Sequence, residues 1–585
     1  MEFEVKQRLK CGIVYVGLIA AVISFVASPL VAADELVKPN VLFISVDDLN
    51  DWIGCLGGHP QAKTPHLDRL AASGVLFTNA HCPAPACNPS RSAIMTGISP
   101  HRSGLYENGQ KMRELMPDAE LMPKYFSRHG YWSAGSGKLL HYFIDAQSWD
   151  EYFPAKETED PFPRTMYPKQ RPVNLPVGGP WQYRETDWAG LDASDEEFGG
   201  DWLVSKWIGD QLKRKHEQPF FLACGIYRPH EPWFVPQKYF DQFPLESIQL
   251  PPGYQADDLN DLPPAGKRRG PNRYFEHIQK HDQWKQAIQG YLASIAFADA
   301  MVGRTLDALE SGPNRDNTIV VLWSDHGWHL GEKQHWQKYT AWRKCTRVPL
   351  MIRVPPGTAG LPQGTRAGTV CDQPVNLQSL FTTVTELSGL PAKAAIDGPS
   401  LVPLLEDADG EWPHVSITYL SRPQNYGLSA KSWRYIHYDN GDEELYNIEN
   451  DPHEWDNLSG LAEHETRMGL LREKAPTEFA KYVRPHVASL PKLKWHPAGG
   501  LDIPASKPDG NQFDVVFINN RKIPVRLYWM DRQGKRKSYG TLESGWRKPL
   551  KTRPGAVWLI ADSSDQSLGY FRVEDRAAQA IVESD

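Results

Sequence analysis

The 585-residue chain has no second long apolar run after its N-terminal one, no C-x-x-C pair, no repeat of solenoid period and no strong charge bias. Each absence excludes something. Without another apolar stretch of about 20 residues, no further membrane span is written in the sequence. Seven cysteines are too few for a disulfide framework at this length. Without C-x-x-C spacing a thiolate zinc site is excluded as well. A net charge of −7 gives no electrostatic reason to expect a nucleic-acid partner. What the chain does have is 41% apolar and 23% charged residues, enough to bury a sizeable core and to exclude global disorder.

Residues 1–33 have the form of a signal peptide. Lys6, Arg8 and Lys10 precede the apolar run Cys11–Val31, and Val31-Ala32-Ala33 offers small residues for cleavage. The alternative is an uncleaved anchor. Both place the protein outside the cytoplasm, in the periplasm or the extracellular space, and cleavage leaves no membrane span.

Asn40–Val46 is a nearly continuous apolar run ending in Asp47-Asp48. It reads as a buried parallel strand that delivers two carboxylates at its C-terminal end. Phe220–Ile226, Thr318–Trp323 and Pro349–Val354 read the same way. Helical patterns, notably Gln286–Leu309 and Leu377–Leu387, lie between or after them. Thr64-Pro65 opens a helix that Gly74 stops. This alternation predicts an α/β domain over 38–411 with a mostly parallel sheet, whose ligands sit at the C-terminal ends of the strands. From 412 to 489 short strands separated by turns predict a smaller antiparallel subdomain. Leu490–Gln512, rich in Pro, Gly, Lys and Asp, reads as a linker. Residues 513–576 read as a small all-β unit.

Cys87-Asn88-Pro89-Ser90-Arg91 surrounds a cysteine with polar residues, which argues for a helix N-terminus facing a cleft rather than for a core thiol. The stretch resembles the C-x-P-S-R signature of type I sulfatases. Further blocks resemble that family in order: Thr64–Leu70, Gly130–His141, Arg228-Pro229-His230, Ser324-Asp325-His326-Gly327, Trp336-Gln337-Lys338-Tyr339 and Glu444-Leu445-Tyr446-Asn447. Phe220–Pro236 and Asp325-His326 look most like iduronate-2-sulfatases. The resemblance, running from about Asn40 to Leu458, implies an alkaline-phosphatase-like fold. It also implies that Cys87 is converted to formylglycine (3-oxoalanine) by a formylglycine-generating enzyme, and that its hydrate is the nucleophile. The implied metal is one Ca²⁺, held by Asp47, Asp48, Asp325, His326 and residue 87. Oxygen ligands suit that hard cation; an imidazole at position 326 suits it less well.

The same resemblance assigns the catalytic roles. Arg91 holds the hydrate, Lys138 and Lys338 supply positive charge to sulfate oxygens, His230 protonates the departing sugar oxygen with help from Lys338, and His141 deprotonates the second hydroxyl. The implied activity is hydrolysis of sulfate esters on a sulfated carbohydrate. A phosphodiesterase or phosphonate hydrolase of the same superfamily, and a non-catalytic binder of sulfated glycans, are the competing readings. The specificity loops, Phe153–Asp195 and Glu246–Phe275, carry no legible motif.

Asn519–Trp558 resembles the β-domain of the von Hippel–Lindau protein, a small β-sandwich. Trp529, Tyr539 and Trp558 fall at its aromatic pocket positions, Thr552 at its pocket serine and Ala556 at its pocket histidine. The resemblance implies a peptide ligand, which the alanine weakens. Eleven Lys/Arg against three Asp/Glu between Gln512 and Trp558 suggest a polyanion instead.

Overall fold

The computed structural model describes residues 38–583 apart from 142, 156–161, 169–173, 177–185, 484–489, 500–501, 509–512 and 575. The expected signal segment, and much of the loop Phe153–Asp195, lie outside the described residues. No helix among the described residues is long and apolar enough to cross a membrane.

Eight strands build the main sheet: β1 (Asn40–Val46), β2 (Val75–Phe77), β3 (Trp132–Gly137), β4 (Glu151–Phe153), β5 (Phe220–Ile226), β6 (Thr318–Ser324), β7 (Leu350–Arg353) and β8 (Thr369–Cys371). Their order is β8-β2-β7-β6-β1-β5-β3-β4. All pairings are parallel except those of β7 with β2 and β6. β1, β5 and β6 read as nearly continuous apolar runs because both sheet faces are covered. Leu42, Ile44, Leu222, Cys224, Val320 and Leu322 face a core built with α1 (Pro65–Ser73), α3 (Asp201–Leu212) and α4 (Trp284–Glu310). Val41, Phe43, Phe221, Ala223, Ile319 and Val321 face the other, built with α2 (Cys87–Thr96) and α5 (Leu380–Leu387). The architecture is a mixed, mostly parallel α/β sheet with antiparallel sheets following it.

The helix expected from Thr64-Pro65 forms as α1, with Pro65 at its first position. The Thr64 hydroxyl makes no capping bond to the helix backbone; it accepts from the Gly54 N–H at 2.8 Å and donates to the Asp68 carboxylate at 3.3 Å.

An antiparallel sheet follows: β9 (Ser416–Tyr419), β10 (Tyr426–Ser429), β11 (Trp433–His437) and β12 (Glu443–Asn447), in that order. The second of these, with its central glycine, carries no strand signal in the sequence.

The C-terminal unit is two small sheets around Phe517, Leu527, Trp558 and Phe571. Its strands are β13 (Trp495–Pro497), β14 (Phe513–Asn519), β15 (Val525–Met530), β16 (Arg536–Leu542), β17 (Arg547–Thr552), β18 (Val557–Ala561), β19 (Ser567–Arg572) and β20 (Ala578–Val582). The orders are β13-β19-β18-β15-β16 and β17-β14-β20. In the stretch 490–512, which composition alone makes a linker, the described residues 490–499 and 502–508 are woven into this unit. β13 pairs with β19, buried Leu493 donates its N–H to the Gln579 carbonyl, and the Ser506 hydroxyl accepts from the Val557 N–H. The unit also runs past residue 576 to β20. Three-residue strands rich in proline have no period to read, so only pairing reveals them.

Candidate active site

Four consecutive strands of the main sheet, β6-β1-β5-β3, end on the same side, and each delivers polar residues there. β1 is followed by Asp47 and Asp48, β3 by Lys138 and His141, β5 by His230 and β6 by Asp325 and His326. This is where an open parallel sheet places its ligands. Glycines make the tight approach of β3 to β5 possible. Gly137 has φ +78°, and a Cβ there would meet the Gly225 carbonyl oxygen at 2.0 Å. That contact lets the Lys138 N–H reach the same carbonyl at 3.0 Å.

Helix α2 brings the fifth contribution. Cys87 is its first residue and Arg91 lies one turn on, so both side chains project from one face. Pro89 is tolerated because first-turn N–H groups have no partner within the helix. The helix is fixed at both ends: the Asn88 N–H donates to Asn108 at 2.9 Å, and Gly97 closes it in the left-handed conformation. Ser90 Oγ donates to the Asp325 carbonyl at 2.6 Å, pinning the helix to the end of β6.

Cys87 is fully buried. Its Sγ lies 3.0 Å from Lys338 Nζ, 3.3 Å from His326 Nε2 and 3.8 Å from Lys138 Nζ, and it is hydrogen-bonded by His141. Burial alone would raise its pKa, yet Lys138, Lys338 and His326 together hold it well below the ordinary thiol value. Arg91, also fully buried, donates to Asp325 Oδ2 at 2.8 Å, Asp47 Oδ1 at 3.0 Å and the Lys138 carbonyl at 2.6 Å. Lys138 pairs with Asp47, and Lys338 with Asp48 at 2.8 Å. Each cation has an aromatic wall: Trp323 beside Arg91, Tyr227 beside Lys138, Trp328 beside Lys338.

The ligand atoms of Asp47, Cys87, Asp325 and His326 lie within 4.8 Å of one another, as do those of Asp47, Asp48, Cys87 and His230. Asp48 Oδ2 is buried and accepts no hydrogen bond. Burial, against the pull of Arg91 and with Asp47 nearby, pushes Asp325 up to about 7. An orphaned carboxylate oxygen within a buried cluster of three carboxylates fits a hard cation held by oxygen ligands. Formally, three carboxylates face Arg91, Lys138 and Lys338. Charge is balanced without a metal, so a divalent cation would give the site a net positive charge toward an anionic ester.

The two histidines are pushed apart. Burial lowers His230, but neighbouring Asp48, 3.7 Å away, more than reverses this and raises it to about 9. Its Nδ1 is fixed at 2.6 Å from the Glu231 carbonyl. His141 falls to about 4, through burial and the nearby lysines, despite its bond to Cys87.

All ten candidate residues therefore meet, although they span positions 47 to 338. The Glu444–Asn447 landmark does not join them. Glu444, buried on β12, accepts from Trp342 Nε1 at 2.8 Å and Tyr446 OH at 2.7 Å. It fixes the segment beyond Lys338 from behind. Several positioning groups carry no sequence signal. Gln337 donates to Glu231 at 2.9 Å, tying the Lys338 loop to the His230 loop. Gln337 and Tyr339 hold φ of +82° and +76° on either side of Lys338, a cost of about 1–3 kcal/mol each. Asp201 accepts from the N–H groups of Tyr227 and Arg228 at 2.7 and 2.9 Å, shaping the turn before His230. Asp201 and Glu231 read as ordinary carboxylates until their partners are known.

The sulfatase family profile matches residues 39–390, and the C-terminal profile of N-sulphoglucosamine sulphohydrolases matches residues 331–478. A protein of Formosa agariphila named "Sulfatase" is 40% identical over 458 residues, covering 77% of this chain and 88% of that one. Mouse iduronate 2-sulfatase is 30% identical over 436 residues, covering 68% and 78%. The solved phosphonate monoester hydrolase of Agrobacterium radiobacter shares the fold, with a TM-score of 0.59 at 22% identity over 75% of this chain and 94% of that one.

Proposed function

The chain belongs to the sulfatase family, and from that premise we propose an exported enzyme that removes sulfate from a sulfated carbohydrate. In this reading it uses formylglycine made from Cys87 and one Ca²⁺, and it is iduronate-2-sulfatase-like in its choice of substrate. The observation that carries the reading is the meeting of Cys87 and Arg91, on one helix face, with three carboxylates, two lysines and three histidines from four strand ends and the Lys338 loop. The likeness to iduronate 2-sulfatase supports the substrate class, and the form of residues 1–33 supports export.

When present, the aldehyde hydrate at residue 87 supplies a nucleophilic hydroxyl, and the cation among Asp47, Asp48, Asp325 and His326 supplies positive charge to sulfate oxygens. The rest falls to the chain's own side chains. Arg91, locked by two carboxylates and a carbonyl, cannot swing and so orients residue 87 by hydrogen bonding. Lys138 and Lys338 stand beside Cys87 and stabilise charge on sulfate. Burial would lower the Lys338 pKa, but Asp48 raises it well above the ordinary value, which keeps it charged. His230, raised to about 9, carries a proton at neutral pH and gives it to the leaving sugar oxygen. His141, lowered to about 4, is neutral there and takes a proton from residue 87. Two histidines driven to opposite protonation states divide the acid and base work.

The function is tested by comparing an aryl sulfate, an aryl phosphate diester and sulfated oligosaccharides as substrates, with mass spectrometry of the peptide containing Cys87. Sulfate esters are expected to turn over fastest. Faster cleavage of the phosphate diester would assign the site to phosphoester chemistry, and no turnover of any of them would leave a binding protein.

The general acid gives a sharper expectation. His230→Ala should slow a sugar sulfate by about 10²–10⁴-fold, and nitrophenyl sulfate, whose leaving group needs little protonation, by far less. Equal losses on both substrates would make His230 a positioning residue.

A further inference from the structure

The C-terminal unit has an open edge where its two sheets end, on β16 in one and β17 in the other. Aromatic and cationic side chains meet along this edge. Tyr539 of β16 packs against Trp558 at 4.7 Å between ring centroids, and Trp558 Nε1 donates to Thr552 Oγ1 of β17 at 2.8 Å. Trp529 pairs with Trp558 across β15 and β18, so both rings point between the sheets. Lys537 Nζ lies 5.5 Å from the Trp529 ring, and Lys548 Nζ bridges from β17 to the Tyr539 carbonyl at 2.6 Å.

The rim of the seam is solvent-accessible and positive, while Trp558 and Thr552 are buried beneath it. Tyr539 is 42% exposed, and Trp546, at the turn joining β16 to β17, is 64% exposed. Six of the seven residues of β16 are exposed. Among the described residues neither Lys537 nor Lys548 forms a salt bridge, whereas nearby Arg526 and Lys551 are neutralised by Asp565 and Asp514. An ammonium left without a counterion beside an exposed ring is suited to a ligand that brings both anionic groups and apolar C–H faces. A sulfated sugar has both: pyranose C–H groups for the rings and sulfates for the lysines.

A peptide added as a strand to β16 fits less well. The register shift between Arg526 and Tyr528 kinks the pairing of β15 with β16, and bulges and lysines are what protect an edge strand from strand addition.

We infer that the rim of this seam, Trp529, Tyr539, Lys537 and Lys548, with buried Trp558 and Thr552 supporting it from beneath, is a second carbohydrate site, which holds a sulfated polysaccharide. The inference rests on the proposed function for its biological use: a held polymer presents its sulfate esters to the catalytic site at high effective concentration. Binding itself does not depend on turnover.

The full-length Cys87→Ala protein, which removes hydrolysis from the measurement, is titrated with dextran sulfate, unsulfated dextran, polyglutamate and a proline-rich peptide. Dextran sulfate should bind tightest, and more weakly as salt rises. Adding Lys537→Gln with Lys548→Gln, or Tyr539→Ala, should weaken it about tenfold. The same substitutions in the Cys87 enzyme should leave small aryl sulfate turnover unchanged. That turnover also separates the two ideas, since its absence in the parent enzyme overturns the proposed function and leaves the binding result standing. Equal dextran sulfate affinity with and without the substitutions overturns the site. Polyglutamate binding as tightly as dextran sulfate reduces it to a charge effect, and preferential binding of the peptide replaces it with a peptide site.

Discussion

Cys87→Ala is expected to lower sulfate-ester turnover by on the order of 10⁴-fold or more, the loss seen when a covalent nucleophile is removed, while the protein keeps its fold. Cys87 contributes one sulfur to a cage already held by other bonds. Arg91 remains tied to Asp47 and Asp325, Lys138 to Asp47 and Lys338 to Asp48. Alanine leaves those ion pairs intact and suits the first turn of α2. A thermal melt close to the parent, with turnover lost, is the expected pair of results. Cys87→Ser separates position from chemistry, because a hydroxyl fills the space without oxidation to the aldehyde by a cysteine-specific enzyme. Substantial turnover by the alanine protein would falsify the nucleophile assignment.

Removing a carboxylate should come next in size. Asp325→Asn is expected to weaken cation binding by at least about 100-fold, since even supporting groups around metals are worth 10–100-fold, and to lower turnover in step. Asp47→Asn should do the same. Both also take a partner from Arg91, so thermal stability is measured alongside; a melt lowered without loss of bound metal would assign these aspartates to holding Arg91 only. Metal content of the purified protein provides a readout independent of activity. Treatment with a chelator should abolish turnover and Ca²⁺ should restore it. A chelated enzyme running at full rate would remove the metal from the site.

Both expectations depend on residues whose types were legible before any fold was known. The apolar run into Asp47-Asp48, the polar pentapeptide around Cys87 and the turn at Asp325-His326 each mark a place where a buried element ends in groups that resist burial. That contrast is local, so sequence carries it. The parallel sheet was legible for the same reason: β1, β5 and β6 are apolar at most positions because helices cover both faces. The stretch 490–512 was not, since its strand β13 is three residues long and is specified by its partner β19.

The sequence by itself determined the family, the α/β core and the set of side chains able to do the chemistry. Tertiary structure alone decided that β6, β1, β5 and β3 lie side by side, so that residues up to 291 positions apart, Asp47 and Lys338, share one cluster. It alone set the opposite protonation of His230 and His141, the strained backbone around Lys338, and the meeting of Lys537 and Lys548 at one open edge. The physical reason is range. Propensity and periodicity act within a few residues along the chain, whereas charge and desolvation act through a few ångströms of space, and only the folded chain says which groups occupy them.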